Sequence, residues 1–93
     1  MTGAATETPE HRLKRLRMRS WRRGTKEMDL ILGGYCDACL DALPPETLDL
    51  YEVLLEENDQ DLYAWVTGQA AAPDRLAPLI AEIAATVSGP GRA

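Results

Sequence analysis

Arg22-Arg23-Gly24-Thr25-Lys26-Glu27-Met28-Asp29 is where a basic amphipathic segment stops and a mainly acidic one starts. Physically the stretch reads as a tight corner between two helices. Two arginines in the last turn of the first helix suit the negative end of its dipole. Gly24 takes the left-handed conformation that ends a helix without a Cβ penalty. Glu27 falls in the first turn of the next helix, where a carboxylate is favoured. A purely structural corner accounts for each of these residues. A second reading has the corner present Arg23 and Glu27 outward, with a bare glycine between them, as a docking surface.

On both sides of the corner the pattern is helical. Pro9 suits the first position of a helix over residues 10–22. Leu13, Leu16 and Met18 or Trp21 give that helix a thin apolar stripe, and arginines fill the rest. A second helix over residues 25–40 sets Met28, Ile31, Leu32, Tyr35 and Cys39 at helical spacing. Its Gly33-Gly34 pair costs about 1 kcal/mol per glycine against alanine, which implies close packing or, less favoured, a hinge. Leu43-Pro44-Pro45 breaks the chain. A third helix over residues 46–57 turns Leu48, Tyr51, Leu54 and Leu55 inward and Asp49, Glu52 and Glu56 to solvent. Asn58 or Asp59 caps a fourth helix over residues 60–67, with Leu62, Trp65 and Val66 inward, and Gly68 ends it. Pro73-Asp74 opens a fifth over residues 74–87, carried by Leu76, Leu79, Ile80, Ile83 and Val87. Residues 1–8 and 88–93 are polar or rich in Gly and Pro and are expected to be disordered. The expectation is one domain, residues 9–87, folded as an all-α five-helix bundle.

Composition narrows the function. The chain has 93 residues, no Phe, two Trp and three Tyr, so an aliphatic core must hold it together. No apolar run approaches the roughly 18 to 20 residues that span a bilayer. No secretory signal or long presequence is visible, and the expectation is a soluble protein of a bacterial cytoplasm. The net charge of −5 is unevenly spread. Residues 1–28 hold eight of the ten Lys and Arg against three Glu, and the remainder holds twelve acids against two arginines. Either the basic helix neutralises acidic neighbours, or it seeks an anionic partner.

Reaction chemistry is sparse. The only histidine, His11, lies near the N-terminus, and neither Ser20 nor Ser88 has a plausible base and acid in the pattern. No glycine-rich phosphate loop follows a strand. Cys36 and Cys39 form one C-x-x-C, two ligands where zinc needs about four, and buried small side chains are the better reading. Asp59 and Asp61 lack the ligand spacing of a calcium loop. The sequence therefore points to a protein that binds another macromolecule, with no metal or cofactor of its own. A basic-helix nucleic-acid binder or antitoxin-like regulator is the alternative, in which Arg12 to Arg19 meet phosphates. A C-x-x-C redox or metal module is a third.

Arg23-Gly24-x-x-Glu27, followed by Met28-Asp29, resembles the R-G-x-x-E signature of the SdhE family of FAD assembly factors of succinate dehydrogenase. The resemblance continues in Tyr51-Glu52-Val53-Leu54-Leu55-Glu56 and in Asp59-x-Asp61-Leu62-Tyr63-Ala64-Trp65, and covers about Arg12 to Val87. It implies a five-helix bundle that acts as a chaperone rather than an enzyme. Its implied partner is the flavoprotein subunit of succinate dehydrogenase and, in bacteria, that of fumarate reductase, whose histidine receives FAD covalently. The expectation is also no nucleic acid, no membrane insertion and a monomer when free. By that resemblance Arg23, Gly24 and Glu27 lie on the partner-binding surface; neighbouring Arg22 and Asp29 are expected to belong to it, and Arg23→Ala or Glu27→Ala would weaken binding more than stability. Cys36-x-x-Cys39 and Gly33-Gly34 are not part of the signature.

Overall fold

A computed structural model of the protein describes residues 7–87. The termini expected to be disordered lie outside these residues, apart from Glu7 and Thr8. Thr8 caps the first helix, its Oγ1 accepting the His11 N–H at 3.1 Å, and Glu7 pairs with Arg15 at 2.7 Å.

Five α-helices make up the fold, with no strand among the described residues: α1 (Pro9–Ser20), α2 (Lys26–Cys39), α3 (Pro45–Leu55), α4 (Asp59–Val66) and α5 (Ala77–Val87). A 3₁₀ turn, Leu40–Ala42, follows α2. The central helix is α2, packed against α1 on one side and α5 on the other. Its stripe of Met28, Ile31, Leu32, Tyr35 and Cys36 meets Leu16 of α1, Tyr51, Leu54 and Leu55 of α3, Leu62 of α4 and Leu79, Ile80 and Ile83 of α5. Met18 and Trp21 stay largely outside this core, at 44% and 37% exposure.

Helix ends follow local chemistry. Thr25 and Asn58 cap α2 and α4, accepting the N–H of Met28 and of Asp61. Gly68 (φ +82°) closes α4 in the left-handed region. The fifth helix starts later than its apolar register suggests, at Ala77 rather than 74, after a turn over residues 74–76. The Ala77 N–H reaches the Pro73 carbonyl at 2.9 Å, but Pro78 has no N–H to donate to Asp74, so the ladder is interrupted there and resumes with Ile80 on Leu76 at 2.9 Å.

On the third helix Asp49 and Glu56 stay exposed as expected, and with half-buried Glu52 they pair with the arginines of α1. Arg12 binds Asp49 and Glu52 at 2.6 Å each, Arg15 reaches Glu52 at 3.2 Å, and Arg19 reaches Glu56 at 2.9 Å. Arg17 lies 3.4 Å from Asp37 and 3.5 Å from Asp41. The basic helix is neutralised largely inside its own fold. Hydrogen bonds from Arg15 to Glu7 and from Arg12 to Asp49 are the leading reason both guanidiniums hold their protons more tightly than usual.

Candidate functional site

The corner between α1 and α2 is built from its backbone outward. Helix α1 stops at Ser20, earlier than its pattern suggests, and Trp21 closes the last turn with its N–H on the Arg17 carbonyl at 3.1 Å. Gly24 has φ +102°, a conformation that L side chains rarely adopt. A Cβ there would meet nothing within 4 Å, so the requirement for glycine is in the backbone and not in the packing. Asp29 faces back from α2, and its Oδ1 accepts the Arg23 N–H at 2.6 Å. This bond fixes the entry of the chain into α2.

Arg23 corrects the sequence expectation. Its side chain does not point outward beside Glu27; it turns into the molecule and is only 11% exposed. Nε donates to Asp59 Oδ1 at 2.8 Å, Nη1 to the Leu55 carbonyl at 2.7 Å and Nη2 to the Glu57 carbonyl at 2.7 Å. The physical reason is the end of α3. Its last carbonyls have no intrahelical partner, and the negative end of its dipole attracts a cation. Asp59 opens α4 next to them and supplies the counter-charge. One planar guanidinium thus ties the corner to the α3–α4 turn. Sequence spacing gave no direct sign of this, although the corner and the Asp59 block both belong to the resemblance quoted above.

Arg22, Gly24 and Glu27 remain exposed. Among the described residues Arg22 and Glu27 enter no ion pair. Glu27 borders an open concavity of about 310 Å³ with Thr25, Met28, Asp59, Gln60 and Tyr63. On the other flank Trp21 lies flat over Gly33. A Cβ on Gly33 would sit 2.2–2.7 Å from the indole ring, so this glycine exists for a close approach, made by a side chain and not by a helix. Gly34 borders open space, and nothing in the structure explains it.

Behind the corner lies a buried polar cluster that the sequence reading missed. Ser20 donates to the Leu16 carbonyl at 2.8 Å, while the Tyr51 hydroxyl lies 2.6 Å and the Cys36 thiol 3.1 Å from Ser20 Oγ. All three residues are fully buried. Burial pushes the Cys36 thiol and the Tyr51 hydroxyl up from their ordinary pKa values. The group locks α1, α2 and α3 together with uncharged polar contacts and supplies no activated nucleophile. Cys39 is half-buried against the core, and no metal-binding cluster occurs among the described residues.

The class these features define is a small all-helical protein whose α1–α2 corner is tied to the α3–α4 turn through Arg23 and leaves Arg22 and Glu27 exposed. The chain belongs to the family described as flavinator of succinate dehydrogenase, which it matches over residues 14–87. Members of this family are assembly factors and not catalytic enzymes. The chain is 36% identical over 69 residues to the mitochondrial succinate dehydrogenase assembly factor 2 of Schizosaccharomyces pombe, a match covering 74% of this chain and 50% of the relative. It is 34% identical over 76 residues to the FAD assembly factor SdhE of Acetobacter pasteurianus, covering 82% of this chain and 70% of the relative. The corresponding match to SdhE of Vibrio cholerae is 35% over 65 residues, covering 69% and 76%. The chain therefore spans about half the length of the yeast relative and most of the bacterial ones. No solved structure matches it. No described helix is long and apolar enough to cross a membrane.

Proposed function

We propose that this chain docks on the flavoprotein subunit of succinate dehydrogenase through the α1–α2 corner and promotes covalent attachment of FAD to it. The observation that carries the docking site is the pairing pattern of the cations. Five arginines of α1 and the corner are engaged internally, whereas Arg22 and Glu27 stand exposed on either side of Gly24 with no ion pair among the described residues. Family membership supplies the client. Attachment requires the accepting side chain and the flavin in near-attack geometry and stabilisation of charge developing on the ring. A docked helper meets both needs by selecting the subunit conformation that provides them.

In this reading Arg22 and Glu27 contact the client, Gly24 lets its backbone approach closely, and Arg23 and Asp29 hold the corner in shape. The fumarate reductase flavoprotein, where present, is a second client of the same surface. The free chain is a monomer, and a bacterial form works in the cytoplasm. Nucleic acid is disfavoured as a partner because phosphates would have to displace the acids that hold Arg12, Arg15 and Arg19. Calorimetric titration against the apo flavoprotein subunit tests the assignment. Arg22→Ala and Glu27→Ala should each weaken binding with the thermal midpoint unchanged. Unaltered affinity for both would remove the corner from the interface.

A further inference from the structure

Beyond the corner, α2 carries an apolar residue that its core does not use. Met28, Ile31, Leu32 and Tyr35 form the buried stripe, yet Leu30 lies off it and is 57% exposed, the most exposed of the large hydrophobics among the described residues. Tyr63 is similarly placed on α4, where Leu62 is the buried residue; it is 39% exposed. Between them runs an open groove of about 530 Å³, lined by Glu27, Leu30, Ile31, Tyr63, Val66 and Val87 among others. Glu27 and Tyr63 also line the smaller concavity at Thr25 and Asp59, so the groove is continuous with the corner.

We infer that this groove is the second half of the docking surface and seats a segment of the flavoprotein subunit with an apolar side chain between Leu30 and Tyr63 and a cationic group against Glu27. The inference rests on the proposed function and extends it to residues outside the corner. Charge selects the occupant. Glu27 has no ion pair among the described residues, while its neighbour Asp59 is already engaged by Arg23. A second copy docked groove to groove would offer Glu27 no cation, because no residue lining the groove is a Lys or Arg. The chain's own last six residues, Ser-Gly-Pro-Gly-Arg-Ala, contain no large apolar side chain to fill the seat. An apolar centre with aromatic and aliphatic anchors and a charged edge is the usual anatomy of a protein interface.

The test is titration of the intact chain into the apo flavoprotein subunit, with Leu30→Ala, Tyr63→Ala and a control, Arg75→Ala, from another face. Truncating an interface anchor should raise Kd about tenfold or more, with the thermal midpoint unchanged because both side chains are exposed. The control should bind as wild type. A wild-type chain that fails to bind would overturn the proposed function and this inference together. Wild-type binding with unchanged Kd for both groove variants would overturn the groove alone and leave the corner standing. Two further outcomes would overturn it by naming another occupant. One is a wild-type dimer in sedimentation that Leu30→Ala dissolves. The other is a shift of the Leu30 and Tyr63 resonances in the free chain on substitution of Pro90, which would seat the chain's own C-terminus there.

Discussion

Arg23 satisfies two orphan carbonyls and one carboxylate with a single guanidinium, and its own N–H is held by Asp29. Removing the side chain leaves the Leu55 and Glu57 carbonyls without their donor in a mostly covered site. Arg23→Ala should therefore cost about 2 kcal/mol, the scale of charge-assisted hydrogen bonds, read as a lower denaturation midpoint before any client is added. A midpoint equal to wild type would restore the outward-facing reading. Gly33→Ala makes a different prediction. The new methyl displaces the Trp21 indole, so Trp21 emission should shift toward that of a water-exposed ring in a Trp65→Phe background. An unshifted spectrum would mean that the helix moves and the ring stays. The buried Cys36 thiol and Tyr51 hydroxyl supply a pH dependence. Their folded pKa values are raised, so the stability they contribute is complete below the unfolded thiol pKa of about 8.5 and is lost as pH rises above it. Urea midpoints should hold to about pH 8 and fall toward about pH 10, and Cys36→Ala should flatten part of that fall.

At the scale of elements, helical spacing carried most of the information. The α2 stripe from Met28 to Tyr35 and the α5 stripe of Leu79, Ile80 and Ile83 are buried as their periodicity requires, because a helix must cover one apolar face. Periodicity says which face is covered by something but not by what. Asp49, Glu52 and Glu56 look like a wet face within α3 alone, and only the tertiary placement of α1 turns them into partners for Arg12, Arg15 and Arg19. The same limit hid Ser20, Tyr51 and Cys36, which lie on three different helices. Glu52 is the acid shared by two arginines, so Glu52→Ala should destabilise the α1–α3 contact by about 1 kcal/mol at low salt, and by less as salt screens the pairs. Equal loss at low and high salt would assign the effect to packing rather than charge.

For the whole molecule, the division into a basic front and an acidic body is legible from composition, but its consequence is not. Internal pairing leaves the exposed cationic character concentrated on few side chains, Arg22 and Lys26 at the corner among them. The corner itself was recognisable from Arg23-Gly24-x-x-Glu27, and Gly24 has the positive φ that such a turn requires. What that motif could not convey is the division of labour within it, because Arg23 acts through carbonyls more than thirty residues away in sequence. A motif records which residues occur together, and the direction of each side chain depends on the partners folding brings to it.

Flavin attachment in the client is what this surface is proposed to enable. Apo flavoprotein subunit of succinate dehydrogenase is mixed with FAD and this chain, denatured, and run on a gel for flavin fluorescence on the subunit band. The signal should rise with added wild-type chain and stay near background with an Arg22→Ala, Glu27→Ala double variant, which keeps the fold because both side chains are exposed and enter no ion pair among the described residues. Covalent flavin that does not change when the chain is added to a competent subunit would contradict the account.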